Sequence, residues 1–265
     1  MARTYNQECV LAYALDLLGE RWTLLIVREL FLGPQRFGDL HAALPGIGTN
    51  LLSKRLKELE EAGLIMQTSA EARSQYKLSD AGEDLRPVIR SMMFWSIKYF
   101  MESPEPTAPK ECIFSNDLQP DSVVLASEMF ANLSKIPHDT YVMHLFVDNH
   151  PYTLYYMNGE TTAKRGADAP AVAKLESDVE TLMRAMRGEI FIEETLERST
   201  SSGDAEVIKH FVSTVTPGAD VAFEVAELIK VRERERLAAD ARSSAPKRAA
   251  PKTAARAKEK APADA

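Results

Sequence analysis

Apolar positions recur along this chain with two periods, and the clearest helical one lies near its start. Between Thr49 and Glu61, Leu52, Leu56 and Leu59 fall at i, i+4 and i+7, one buried stripe, while Asn50, Ser53, Lys54 and Lys57 fall on another face. Thr49 is expected to cap this helix and Gly63 to stop it, and Leu64–Thr68 with Gln75–Leu78 have the short alternation of paired strands. Upstream, Cys9–Leu18 reads as a largely buried helix closed by Gly19. Arg21–Leu32 reads as a second, broken by Gly33-Pro34 because proline cannot continue the hydrogen-bond ladder. Phe37–Leu44 is a third, ended by Pro45-Gly46. After the hairpin, Ser79-Asp80 opens a long helix whose Leu85, Ile89, Met92, Met93, Trp95, Ile97 and Phe100 exceed what a lone surface helix needs, which implies a partner surface.

The pattern then changes. Residues 103–110, SPEPTAPK, hold three prolines in eight positions and read as a stiff linker. Beyond it a helix is expected over Asp121–Leu133. Strands follow over Tyr141–Val147, Tyr152–Met157 and Glu160–Arg165, the last two joined by Asn158-Gly159, a strong hairpin signal. A fourth strand near Val172–Glu176 precedes a helix capped by Ser177 or Asp178, a short helix near Ile190–Leu196, and another that Gly203-Asp204 opens and that runs through Phe211. The expectation is an α+β class chain: a winged helix-turn-helix domain, then an antiparallel sheet with helices on one side. Its parts are 1–102, the linker 103–110, the second domain 111–218, a helical extension 219–242, and a tail 243–265. The tail is too poor in large apolar residues to offset ordering entropy and is expected to be disordered.

A length of 265 residues with 45% hydrophobic content supports two domains. The net charge of -7 is uneven: 12 basic and 13 acidic residues up to Glu102, 10 and 21 over Ser103–Val231, 10 and 5 from Arg232 onward. The acid is concentrated in the middle, so it does not argue against phosphate contacts by the first domain, since charges further apart than about 8 Å are screened at physiological salt. No apolar run approaches the roughly 20 residues of a membrane span, and MARTYNQECV lacks a signal peptide's regions, so a soluble, cytoplasmic protein with no membrane partner is expected. Cys9 and Cys112 form no CxxC. No metal, cofactor or catalytic constellation is indicated, and the chain is not expected to be an enzyme.

A helix followed by a hairpin is how a winged helix meets DNA. Asn50 and Ser53 suit base edges, Lys54 and Lys57 suit phosphates, and Thr49 lies at the same end. Arg55 adjoins the leucine stripe and either anchors the hairpin or touches the DNA backbone. Arg73 and Gln75 lie at the wing, whose rival is a plain loop; Arg36 is a phosphate candidate or a partner of Asp39. Cys9 is either a buried structural residue or a thiol sensor, and Glu8 beside it does not favour a thiolate.

The early Cys9, GERWTLLIVRELFLGPQRFGDL (Gly19–Leu40), LPGIGTNLLSKRLKELEEAGLI (Leu44–Ile65) and YKLSDAGEDL (Tyr76–Leu85) together resemble the HxlR-type winged-helix transcriptional regulators. The resemblance covers roughly the first 100 residues. It implies a homodimer joined through the first and last helices of the domain, repressing or activating at palindromic operators in double-stranded DNA. The family usually places proline after the early cysteine; Val10 stands here, which weakens any carry-over of cysteine sensing. Over about Asp121–Val215 the order of elements, with Met186-Arg187-Gly188 and Ser202-Gly203-Asp204, looks like the sterol-carrier-protein-like fold. That weaker resemblance implies a hydrophobic small-molecule effector, with Met129, Phe130, Phe146, Tyr155, Met157, Met183 and Met186 as lining candidates or, on the plainer reading, as core. Two rival functions stand beside the regulator: a lipid carrier that uses the helical domain only to dimerise, and a redox regulator acting through Cys9.

Overall fold

The computed structural model describes residues 4–68, 74–102, 118–129, 140–157 and 160–216, with the backbone alone at 97–102. All of these belong to one compact unit, Met1–Ala226. The linker 103–110, Arg73, Cys112, Phe130, the Asn158-Gly159 turn, the extension 219–242 and the tail 243–265 lie outside the described residues.

Four helices open the chain: α1 (Val10–Leu18), α2 (Thr23–Leu30), α3 (Phe37–Ala43) and α4 (Thr49–Glu61). Ile26, Val27, Leu30, Leu40, Leu52, Leu56 and Leu59 are buried in one cluster, so the leucine stripe of α4 does face the core. Several boundaries differ from expectation by a residue or two, the helix expected from Ser79-Asp80 is split in two, and two of the differences have a backbone cause. Trp22 adopts a left-handed backbone (φ 81°), which delays α2 to Thr23. The cap position of α4 is held by Gly48, extended at φ -76° and ψ 148°, and Thr49 is the first helical residue; the N–H groups of Leu51 and Leu52 already bond to the Gly48 carbonyl. The expected burial of α1 is also corrected. Only Ala12 is buried there, while Val10, Leu11, Tyr13, Leu15 and Leu17 are exposed. Apolar composition alone does not separate a helix covered by its own chain from one with surface left over.

β1 (Ile65–Gln67) and β2 (Tyr76–Leu78) pair antiparallel, Ile65 opposite Leu78. Gln35 adds a bridge on the far side of β2, exchanging both backbone bonds with Tyr76 at 2.9 and 2.8 Å. Ser79 caps α5 (Asp80–Glu83) by accepting the Gly82 N–H, and its hydroxyl donates to the Gly63 carbonyl at 2.6 Å. The long α6 (Arg86–Glu102) follows.

The second half contributes α7 (Pro120–Met129), β3 (Tyr141–Val147), β4 (His150–Met157), β5 (Glu160–Arg165), β6 (Ala173–Ser177), α8 (Val179–Met186), α9 (Ile192–Glu197), β7 (Thr200–Gly203) and α10 (Ala205–Val215). Its strands lie in the order β5-β4-β3-β6-β7. The sheet is mixed, not antiparallel as expected, because β6 pairs parallel with β3. After β5 the chain crosses one face to reach the other side of β3: His144 Nε2 lies 2.8 Å from the Ala169 carbonyl, and Thr153 donates to the Gly166 carbonyl. Met143, Leu145, Tyr152, Leu154, Tyr156 and Leu175 share the opposite, buried face with Val123, Leu182, Phe211 and Val212 of the helices. Asp178 caps α8.

Two outward donors of the edge strand β5 are taken up by other parts of the chain. Its Ala163 N–H donates to Glu128 of α7, and its Arg165 N–H to the carbonyl of Leu32 between α2 and α3, both at 2.8 Å. Glu128 is also ion-paired with Arg86 of α6, which bonds Glu83 at 2.7 Å and stacks over the Phe31 ring at 4.3 Å. Burial pushes the Glu128 carboxyl above the usual range against the opposing pull of Arg86, the Ala163 N–H and Lys164. Burial also acts upward on Glu83, but hydrogen bonds and charge from Lys164 and Arg86 outweigh it and hold that carboxyl below the usual range.

Candidate nucleic-acid interface

The candidate reading head comprises α3, a five-residue turn and α4. In the turn, Gly46 sits at φ +92°, where a side chain would be strained, and the edge of the Trp22 ring lies 3.8 Å from the position a Cβ would take. Thr49, Asn50, Ser53, Lys54 and Lys57 are all exposed on the outer side of α4, opposite the buried leucines. The Lys54 and Lys57 side chains are 65% and 76% exposed, with loose i, i+4 pairs to Glu58 (3.7 Å) and Glu61 (3.6 Å). Pairs that exposed contribute only about 0.3–0.5 kcal/mol, so a phosphate can displace the carboxylates readily. No side chain caps α4, so its first N–H groups point outward beside Thr49 and Asn50, at the end where the helix dipole favours an anion.

Arg55 does not belong to that face. Its side chain is 7% exposed, bonded to Glu20 at 2.6 Å, to Glu58 at 2.5 Å and to the Arg21 carbonyl at 3.2 Å. Both readings left open in the sequence are thereby corrected: the buried guanidinium bonds neither the hairpin nor an outer face but ties α4 to the turn before α2. Arg36 is exposed at the start of α3, where Asp39 accepts its backbone N–H at 3.2 Å. Gln75 extends the hairpin, its carbonyl accepting the Thr68 N–H at 2.8 Å and its own N–H meeting the Thr68 hydroxyl at 3.2 Å. The described structure thus brings Arg36, Gln75 and the exposed residues of α4 into one helix-hairpin unit and withdraws Arg55 from the outer face.

Gln35 escaped the sequence reading. Besides its bridge to Tyr76, its side chain donates to the Glu29 carbonyl at 2.8 Å, so one buried residue fixes the hairpin to α2. The only local signal is a polar residue after Gly33-Pro34, which says nothing about a partner 41 positions away.

Other candidates resolve differently. Cys9 is exposed at the start of α1, not buried, and the N–H groups of Ala12 and Leu11 lower its thiol below the ordinary value. The lining candidates do not converge: strand alternation puts Phe146, Tyr155 and Met157 on one face of the sheet, whereas Met129, Met183 and Met186 pack into the core on the other. Among the described residues there is no cluster of three or more metal-ligating side chains and no helix long and apolar enough to cross a membrane.

Comparison with known proteins agrees with this geometry. Residues 17–104 match the HxlR-like helix-turn-helix family. An uncharacterized HTH-type transcriptional regulator of Mycobacterium tuberculosis is 46% identical over 99 residues, which are 36% of this chain and 60% of that protein; this chain therefore spans less than two thirds of that relative's length. The uncharacterized HTH-type transcriptional regulator YvaP of Bacillus subtilis is 38% identical over 89 residues, 32% of this chain and 82% of that protein. Among solved structures, quinone-bound YodB from B. subtilis aligns at 32% identity and a TM-score of 0.31, over 34% of this chain and 97% of that one. The chain belongs to the HxlR-like helix-turn-helix family, whose matching members bear the names of transcriptional regulators and not of enzymes.

Proposed function

We propose that this protein is a sequence-specific DNA-binding regulator that acts as a homodimer on double-stranded, palindromic operators. The observation that carries the reading is the outer side of α4, where Thr49, Asn50, Ser53, Lys54 and Lys57 stand exposed on a helix whose other side is locked into the core. Asn50 and Ser53 address base edges; Lys54, Lys57 and Arg36 address phosphates; Thr49 sits with the open N–H groups of the helix, and Gln75 with Arg73 serves the wing. Fluorescence anisotropy with labelled duplex from the region upstream of its own coding sequence tests this. Binding should weaken steeply as salt rises and should be tighter than to a scrambled duplex of the same length; equal affinity for the two would remove the claim of sequence specificity.

The homodimer is supported by exposed apolar side chains on both helices that flank the domain: Val10, Leu11 and Tyr13 on α1, Val88 and Met92 on α6. Leu11→Glu should shift the protein to monomer in sedimentation equilibrium and weaken DNA binding with it. A variant that stays dimeric would exclude α1 from the contact. We extend the reading to the α+β part, where a hydrophobic small molecule would bias DNA affinity; the packing of β5 on the segment between α2 and α3 supports the coupling, while the candidate lining residues, split between two faces, do not mark its site.

A further inference from the structure

We infer that Arg165, which lies outside the segment matched to the family, is a positioning residue for the DNA-reading head. Its backbone N–H bonds the Leu32 carbonyl at 2.8 Å. Its guanidinium reaches the carbonyls of Glu29 at 3.3 Å and Gly33 at 3.5 Å, and is itself aimed by Asp121, at 2.6 and 2.9 Å. Asp121 is held in turn by the Tyr152 hydroxyl at 2.6 Å. A planar, oriented cation thus gathers carbonyls at the end of α2 that the helix's own ladder leaves without an N–H, where the helix dipole favours positive charge. Lys164 adds a bond to the Phe31 carbonyl at 3.0 Å.

The same short segment faces the wing on its other side. Gln35, two residues past Gly33, makes both backbone bonds to Tyr76 and holds the Glu29 carbonyl that Arg165 also touches. Residues 29–35 are therefore clamped between β5 and β2, and α3 begins after the single cap residue Arg36. Gly33 adopts φ +112°, so the segment turns sharply there and has no regular ladder of its own to keep its shape. Arg165 supplies that shape from the sheet. Releasing it frees the end of α2, and with it the angle between the wing and α4.

This inference rests on the DNA-binding reading above, and the test separates the two. The full-length protein, Arg165→Ala, Arg165→Lys and Asp178→Ala are compared by amide hydrogen exchange and by anisotropy with the upstream duplex, at a temperature where all are folded. Arg165→Ala should speed exchange of the Gln35 and Tyr76 amides and weaken DNA binding about 2- to 30-fold. Arg165→Lys, which keeps the charge but loses the fork, should recover part of both. Asp178→Ala removes the cap of α8 and controls for lost stability; it should lower the melting temperature and leave both readouts unchanged. Unchanged exchange in Arg165→Ala, or equal acceleration in Asp178→Ala, overturns the inference. Faster exchange with unaltered DNA affinity overturns it too while leaving the DNA reading intact, whereas a wild-type protein that ignores the duplex overturns the DNA reading and the role of Arg165 together.

Discussion

Replacing Lys54 and Lys57 together by alanine is expected to raise the dissociation constant for the upstream duplex roughly 10- to 100-fold near 0.1 M salt, and to flatten its salt dependence by about 0.9 in log-log slope for each lysine that meets a phosphate. Both side chains are solvent-exposed with loosely held carboxylate partners, so the fold has little stake in them. Their loss should move the melting temperature by no more than surface pairs of this kind allow, which makes the DNA effect separable from stability. Asn50→Ala provides the contrast: it should relax the preference between operator and scrambled duplex without altering the salt slope, because a base contact releases no counterion. An unchanged slope in the lysine double variant would mean that the outer side of α4 does not meet the phosphates. On this reading Glu58, Glu60 and Glu61 should confine the contact to the N-terminal part of the helix, since they would repel the DNA backbone further along.

The second large effect concerns stability. Arg86→Met should destabilise the protein by about 3–5 kcal/mol in urea denaturation at neutral pH, because it strips the cation from Glu128, whose side chain is 2% exposed. The pH dependence has a definite sign. The Glu128 carboxyl is already above the usual range by burial, with Arg86 as the foremost opposing influence. A raised folded value means that its contribution to stability is complete below the unfolded glutamate range and is lost as pH rises through the folded value. Without Arg86 the folded value rises further, so the penalty of the substitution should shrink as the solution is acidified from about pH 8 toward about pH 5. Glu83 works in the opposite sense: held below the usual range, it stabilises above its unfolded value and loses that contribution as pH falls through the folded one. A deficit independent of pH would show that Glu128 finds another cation when Arg86 is gone.

These two effects fall on parts of the molecule that differ in how far the amino-acid order discloses them. The α4 stripe and its polar reverse were legible because a helix repeats its environment every three to four residues, so Leu52, Leu56 and Leu59 could be assigned inward without a structure. The caps were legible to within an adjacent pair for the same local reason, Ser79-Asp80 and Ser177 or Asp178, and the structure selects Ser79 and Asp178. Arg55 was not: its position on the wheel lies at the margin between the two faces, and the choice was made by Glu20, 35 residues away. The parallel pairing of β6 was hidden because alternation reports which face a residue takes, not which edge of the sheet its strand joins. β7, four exposed residues reading Thr-Ser-Ser-Gly, carries no alternation at all. The contacts of Arg86 with Glu128 and of Arg165 with the Glu29 carbonyl span 42 and 136 residues and have no local trace, since a basic residue on a helix or an edge strand looks like solubilising charge.

The cover over β5 has a bearing on how the chain is made. An outer strand with free N–H groups templates pairing with other chains, and here the groups that occupy those positions, Leu32 and Glu128, both precede Ala163 and Arg165 in the sequence. During synthesis from the N-terminus, both acceptors are therefore available before the two donors they cover leave the ribosome. Were the order of the two halves reversed by permutation, Glu128 would still precede Ala163, but Leu32 would follow Arg165, and the Arg165 N–H would emerge without its acceptor.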